Sequence, residues 1–119
     1  MTEKELKGRT KQFALRVIEL VGALPNNTVG RVIGGQLIRS GTSVGANYRA
    51  ACRGRSKSEF RAKLGTVEEE ADESGYWLEL IIDAKLLSEG KVSRLLQEAS
   101  ELTAIMVASR LTASKPHGF

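Results

Sequence analysis

Few side chains in this sequence could carry nucleophilic, acid–base or metal chemistry. Its 119 residues include one cysteine, Cys52, and one histidine, His117, which stands in a Lys-Pro-His-Gly-Phe segment. These two residues cannot supply an internal disulfide or a clustered zinc site, and the position of His117 argues against a histidine-based triad. The glycine-rich loops that hold nucleotide phosphates are also absent from the sequence. We therefore expect a protein without catalytic residues.

A run of carboxylates in the second half of the sequence is the remaining candidate for a metal or acid–base site. Glutamates on facing helices hold di-iron centres in helical bundles, but together with a Glu-x-x-His element that is missing here. Consecutive positions of a helix also point in different directions around its axis. We interpret the run as a solvated acidic face and predict no metal, cofactor or small-molecule substrate. It comprises Glu68, Glu69, Glu70, Asp72 and Glu73.

Four arginines recur at helical spacing in a stretch that has no acidic residue. They are Arg31, Arg39, Arg49 and Arg53. On a helix they lie within about 80° of arc. The row can bind nucleic-acid phosphates, or it can pair with carboxylates of its own or a neighbouring chain, where the candidates are Glu68, Asp72, Glu79 and Asp83. We favour an interface role for Arg31 and Arg39 and nucleic-acid binding for Arg49 and Arg53.

Apolar residues at alternating spacings of four and three predict the helices that position these groups. The expected helices span about 6–24, 28–53, 57–87 and 91–112, with a tail at 113–119. Short connections near 25–27, 54–55 and 88–90 require neighbouring helices to run antiparallel. We predict an all-α, up-down-up-down four-helix bundle that forms a single domain over residues 1–119.

The second helix contains an unusual number of glycines, each of which costs about 1 kcal/mol relative to alanine. Four of them fall within about 60° of helix arc, beside an apolar arc. Such a strip lets another helix approach closely, so a continuous helix is favoured over one broken near Gly41. We predict an oligomer interface formed by the glycine strip with Arg31 and Arg39. The glycines are Gly30, Gly34, Gly41 and Gly45.

The predicted topology gathers positive charge at one end of the bundle. That end holds eleven basic and three acidic residues, whereas the remainder holds seven basic and eleven acidic residues, and the net charge is +4. A cationic end attracts polyanions, although a solvated end without a partner is the alternative. Because aromatic residues are few, we expect binding of RNA or DNA with little sequence preference. The predicted nucleic-acid-binding residues are Arg49, Arg53, Arg55, Lys57, Arg61 and Lys63.

Three blocks of sequence carry a family resemblance over nearly the whole chain. They are Ile38-Arg39-Ser40-Gly41-Thr42-Ser43-Val44-Gly45-Ala46-Asn47-Tyr48-Arg49-Ala50-Ala51, Ser56-Lys57-Ser58-Glu59-Phe60 and Glu70-Ala71-Asp72-Glu73-Ser74-Gly75-Tyr76-Trp77-Leu78-Glu79-Leu80. The chain resembles the four-helix-bundle family of 23S ribosomal RNA intervening-sequence proteins. A relative of that family is the accessory variability protein of diversity-generating retroelements.

The resemblance implies a non-enzymatic, ring-shaped homopentamer whose basic surface binds nucleic acid or a reverse transcriptase. It brings no catalytic residues. This chain departs from the commoner Asn-Ile-Ala-Glu-Gly form of the first block, since it has Asn47-Tyr48-Arg49-Ala50-Ala51. The rival hypothesis is a structural or protein-interaction module whose charged rows serve self-assembly alone.

The sequence also predicts where the protein works. No signal peptide precedes the first helix, and no apolar stretch of about 18 residues is present to span a bilayer. A single cysteine is typical of a reducing compartment. We therefore expect a cytoplasmic protein with no membrane association.

Overall fold

Four α-helices make up most of the residues that the structure describes, which are residues 1–114 of this computed structural model. α1 spans Glu3–Gly22, α2 spans Thr28–Cys52, α3 spans Lys57–Asp83 and α4 spans Glu89–Ala113. No strand occurs within residues 1–114, and the expected all-α class is confirmed. The last part of the expected tail, including Lys115 and His117, lies outside the described residues.

Side-chain caps define the starts of the first three helices. The Thr2 hydroxyl accepts a hydrogen bond from the backbone N–H of Glu5 at 3.1 Å, so α1 begins three residues before the expected position 6. The Asn27 side chain accepts from the N–H of Gly30 at 2.9 Å and thereby caps α2. Ser56 caps α3 by accepting a hydrogen bond from the N–H of Glu59 at 3.1 Å, which is the serine–glutamate spacing of a capping box.

The end of α3 differs from the sequence-based expectation. The helix stops at Asp83, four residues before the expected limit of 87, because Lys85 adopts a left-handed conformation with φ 58°. The N–H of Lys85 donates to the carbonyl of Ile82, and the N–H of Leu86 donates to the carbonyl of Ile81, both at 3.0 Å. This pair of bonds is a Schellman motif with lysine at the position that usually holds glycine.

Each helix packs against its sequence neighbour, and α4 returns to α1 to close a four-helix bundle of 50 × 21 × 19 Å. Neighbouring helices run in opposite directions: Gly45 of α2 lies beside Thr10 of α1, and Gly34 lies beside Val21. The up-down-up-down prediction therefore holds. The α1–α4 seam has far fewer contacts than the other three, so α1 is held mainly by α2.

The apolar stripes of all four helices meet in one core. Phe13, Val17, Leu37 and Leu64 are among its fully buried side chains. One interhelical polar contact lies inside it, where the hydroxyl oxygens of Ser40 and Ser74 are 2.9 Å apart. Within residues 1–114, none of the helices combines the length and the hydropathy needed to cross a lipid bilayer.

The glycine strip of α2 packs against α1 of the same chain. A Cβ atom on Gly41 would lie 2.8 Å from a methyl group of Val17, and one on Gly34 would lie 3.0 Å from Val21. Contacts this short require the absence of a side chain. The close helix approach that the strip predicts is present, and its partner is α1.

The other two glycines of the strip have similar roles. A Cβ on Gly30 would lie 2.0 Å from the Pro25 carbonyl oxygen, and one on Gly45 would lie 3.2 Å from the Thr10 hydroxyl. Within the chain, α1 therefore packs on Gly34, Gly41 and Gly45, while the turn at Pro25 packs on Gly30. The assignment of these glycines to an oligomer interface stays a prediction. This packing offsets their low helix propensity, so α2 runs unbroken through Gly41.

Candidate nucleic-acid interface

The six residues predicted to bind nucleic acid lie together at one end of the bundle, which we call the pole. Arg49 is in the last turn of α2, and Arg53 is the C-cap residue of that helix. The remaining four lie on the connecting turn and on the first two turns of α3. Five of the six residues are exposed, and Arg61 is half-buried. The pole comprises Arg49, Arg53, Arg55, Lys57, Arg61 and Lys63.

Few carboxylates neutralise the pole. Glu59 accepts a hydrogen bond from the backbone N–H of Arg55 at 3.3 Å, which leaves the Arg55 guanidinium group outside this contact. Among residues 1–114, no ion pair involves Arg49, Arg53, Arg61 or Lys63. Arg49, Arg53 and Lys63 are exposed and Arg61 is half-buried, so an anionic ligand can reach charges that no carboxylate of the described chain neutralises.

Arg9 and Arg110, which are among the eleven basic residues counted at this end, pair with carboxylates of neighbouring helices. Arg9 lies 2.7 Å from Glu98 and 2.8 Å from Glu101, across the α1–α4 seam. The hydrogen bond to Glu98 is the main reason that the pKa of Arg9 is raised. Arg110 lies 3.0 Å from Glu68. Carboxylates therefore neutralise two of the arginines at this end. Its excess positive charge is smaller than the count of charged residues in the sequence indicates.

A shallow groove extends from the pole along the outer side of α1 and α2. Its walls include Lys7, Lys11 and Arg49, and its floor includes Gly45 and small or polar neighbours. Lys11 is exposed and forms no ion pair within residues 1–114, whereas Lys7 lies 3.0 Å from Glu3. Lys7 and Lys11, four residues apart on the polar side of α1, are the sequence signal for this wall. The residues predicted from the sequence to bind nucleic acid do not include these two lysines.

Arg31 and Arg39, which the sequence assigns to an oligomer interface, occupy different environments. Arg39 of α2 pairs with Glu70 of α3 at 3.1 Å and with Glu73 of α3. Arg31 is exposed and lies 3.2 Å from the side-chain oxygen of Asn26. The carboxylate partners of Arg39 thus belong to the same chain, and a role of Arg31 and Arg39 in an oligomer interface stays a prediction.

The acidic partners of Arg39 also differ from the expected row. Glu70 and Glu73 line the side of α3 that faces α2, whereas Glu68 of the expected row pairs with Arg110 of α4. The indole N–H of Trp77 donates to Glu73 at 3.0 Å. The Trp77 bond, followed by the Arg39 charge, lowers the pKa of Glu73, and the bond to Glu73 raises the pKa of Arg39.

Cys52 and Tyr48 lie inside the same end of the bundle. Burial is the main cause that raises the pKa of both side chains. The contact between the two groups raises the pKa of Tyr48 further and partly offsets the increase for Cys52. A thiol with a raised pKa is a weak nucleophile at neutral pH. In the described part of the chain, no group of three or more histidine, cysteine, aspartate or glutamate residues is arranged to hold a metal ion.

The comparisons with known proteins agree with this architecture. The chain is similar, at 31% identity and with a TM-score of 0.86, to a crystal structure of a protein with unknown function from the S23 ribosomal protein family of Bacteroides thetaiotaomicron. The similarity covers 93% of this chain and 99% of that one. No curated protein matches the chain. Residues 3–108 match the family of 23S rRNA-intervening sequence proteins, so the chain belongs to that family.

Proposed function

We propose that this chain is a non-enzymatic, homo-oligomeric protein that binds nucleic acid through the pole. The observation that carries the proposal is the gathering of six cationic residues around the α2–α3 turn, four of which have no ion pair among residues 1–114. Lysine and arginine side chains bind phosphates and release the counterions that surround a nucleic acid.

The chemistry of the pole favours the backbone of the nucleic acid over its bases. The single tryptophan, Trp77, donates to Glu73, and Tyr76 lies against its ring with a centroid distance of 5.2 Å. Both aromatic residues are on the second half of α3, far along the helix from the pole. We therefore expect RNA or DNA to bind with little sequence preference. The alternative ligand of the same surface is a nucleic-acid-handling enzyme such as a reverse transcriptase.

The test of the pole is charge reversal. Arg53, Arg55 and Lys63 are each replaced by glutamate, and binding of a fluorescent oligonucleotide is followed by anisotropy near 50 mM salt. The expected result is loss of detectable binding, because six units of charge change at the contact. The matched control reverses Arg16, Lys91 and Arg94, three exposed cations near the opposite end of the bundle, and should bind like the parent.

Salt dependence measures how many phosphates are engaged. The logarithm of the binding constant falls linearly with the logarithm of the salt concentration. Two or three phosphate contacts give a slope of about −2 to −3, and eight or more give about −7 or steeper. Melting curves by circular dichroism establish that the triple variant is folded. If the folded triple variant binds as tightly as the parent, the pole is not the binding site.

A structural or protein-interaction module is the second candidate function. It is favoured by exposed aliphatic side chains along α1 and α2, including Leu15, Ile18 and Ile38. Monomeric proteins seldom expose such groups together without a partner. An assembled parent protein that binds neither RNA nor DNA near 50 mM salt would select this candidate over the first.

A further inference from the structure

A cleft lies between α1 and α4 at the end of the bundle opposite the pole. Its volume is about 440 Å³, within the range of about 300–1,000 Å³ that is typical of small-molecule sites. The last turns of α1 and the first two turns of α4 form its two sides. We call it the seam cleft, and the residues that line it include Arg16, Leu20, Lys91, Arg94 and Leu95.

Nearer the pole, the same two helices are joined by ion pairs. Arg9 of α1 lies 2.7 Å from Glu98 and 2.8 Å from Glu101, both on α4. The two helices run antiparallel, so positions later on α1 lie beside positions earlier on α4. Two helical turns further from the pole, the facing residues are therefore seven positions later on α1 and seven positions earlier on α4.

This register brings three cations together in the seam cleft without a carboxylate partner. Arg16 stands seven residues after Arg9, and Lys91 and Arg94 stand seven residues before the two glutamates of α4. All three cations are exposed, and none of them forms an ion pair within residues 1–114. Glu19 is the one carboxylate among the described residues that line the cleft, so three positive charges and one negative charge leave a net charge of +2.

Apolar side chains line the seam cleft beside these cations. Leu20 and Leu95 belong to the core and are 8% and 3% exposed, and the half-buried Leu87 packs against the core next to them. Like charges that share a cleft repel one another, and an anion between them removes the repulsion. A ligand that matches both parts of the cleft therefore has an anionic head group and an apolar body.

We propose that the seam cleft binds a small organic carboxylate with an apolar body, whose head group lies between Arg16, Lys91 and Arg94. The carboxylate of the ligand does there what two glutamates of α4 do for Arg9. Arginine binds a carboxylate through two parallel hydrogen bonds, which favours this head group over a neutral polar one. The apolar body of the ligand packs on the leucines of the cleft, including Leu87.

Occupation of the seam cleft connects α1 to α4, two helices that share few contacts with each other. The connection arises because the head group contacts cations of both helices. A ligand that binds the folded chain and not the unfolded chain stabilises the fold. The melting temperature therefore rises with the concentration of the ligand, which is a measurement that does not involve nucleic acid.

Octanoate, which combines a carboxylate with an apolar chain, is the probe that tests the proposal. Its titration is followed through the amide NMR signals of the isotopically labelled protein, and saturable changes are expected at residues 16–23 and 87–95. Octanol has the chain without the charge and acetate has the charge without the chain, so each should bind at least about tenfold more weakly than octanoate. Octanoate that causes no saturable change, or either control compound that binds as tightly, overturns the proposal.

A double variant tests the head-group site without loss of the fold. Lys91→Glu combined with Arg94→Glu gives Arg16 the two carboxylates that Arg9 has. Without ligand, this variant should melt at the same temperature as the parent or higher, because like charges become ion pairs and acidic residues favour the first turns of a helix. It should bind octanoate at least about tenfold more weakly than the parent. A double variant that binds octanoate as tightly as the parent overturns the proposal.

The seam cleft and the pole lie at opposite ends of the bundle, so their ligands can be tested separately. The triple variant that reverses the pole keeps the seam cleft and should bind octanoate like the parent. Octanoate should not displace a fluorescent oligonucleotide from the parent protein. An oligonucleotide that competes with octanoate refutes the small carboxylate as the ligand of the cleft. A parent protein that binds octanoate but no oligonucleotide refutes only the proposed function.

Discussion

The Glu73 carboxylate connects two side chains that lie on different helices. Arg39 of α2 pairs with it, and the indole N–H of Trp77, one turn further along α3, donates to it at 3.0 Å. Both partners stabilise the ionised form, so the pKa of Glu73 lies below its ordinary value of 4.5. Because Trp77 is the only tryptophan in the chain, its fluorescence reports on this carboxylate.

Acid titration of Trp77 fluorescence should show a transition below pH 4.5 as Glu73 is protonated. Since the pKa of Glu73 is lower in the folded than in the unfolded state, its contribution to stability is present above the unfolded value and is lost as the pH falls through the folded value. Glu73→Gln should abolish the transition. Glu70→Gln is the control, because Glu70 also pairs with Arg39 but does not contact Trp77. This variant should keep the fluorescence transition. A transition that persists in the Glu73 variant would exclude this assignment.

The sequence predicts the arginines of α2 better than it predicts their partners. Helical spacing places Arg31, Arg39 and Arg49 on one side of α2, and the structure agrees that all three are exposed. The actual carboxylates, Glu70 and Glu73, lie outside the expected acidic row. A helical wheel gives the arc between residues of one helix, but the rotation of α3 against α2 is set by packing such as the Ser40–Ser74 contact.

At the scale of elements, the glycine seam explains how α1 and α2 can lie so close. Val17 is fully buried and β-branched, so it has little freedom to move away from a new group on Gly41. Gly35, six residues earlier on the same helix, has open space where its Cβ would be. The two positions therefore form a matched pair for one substitution.

Gly41→Ala should destabilise the fold by about 1–3 kcal/mol through overpacking against Val17. Gly35→Ala should be neutral or should stabilise the fold by up to about 1 kcal/mol, because alanine is the better helix former. Urea unfolding followed by circular dichroism measures both. Equal stability of the two variants would mean that α1 and α2 are not in close contact at Gly41.

Heptad spacing is sufficient to predict four helices, but it does not define where each one ends. The stop of α3 depends on Lys85 in a left-handed conformation, which a sequence reading assigns to glycine or asparagine. The sequence contains a glycine five residues later, Gly90, and the structure places it inside α4. The glycine strip was likewise recognisable as a site of close helix approach, while the identity of the approaching helix required the three-dimensional structure.

At the scale of the whole molecule, the charge at the basic end depends on ion pairs between neighbouring helices. Sorting residues by their position along the bundle predicts a basic end, but it counts Arg9 and Arg110 as positive charges of that end and leaves their carboxylate partners out. Glu98 and Glu101 of α4 are the partners of Arg9, and Glu68 of α3 is the partner of Arg110. Counting the charges at each end of the bundle does not reveal ion pairs between neighbouring helices, because these pairs depend on which helices are adjacent.

The contact between α1 and α4 is sparse, so we expect the bundle to open first between these two helices. α1 is packed well only against α2, and its link to α4 includes the Arg9 contacts with Glu98 and Glu101. We expect native-state hydrogen exchange to find α1 released in a sub-global opening while α3 stays protected until complete unfolding. Arg9→Met should speed amide exchange in α1 and leave that of α3 nearly unchanged. Equal acceleration in both helices would mean that the bundle opens as one cooperative unit.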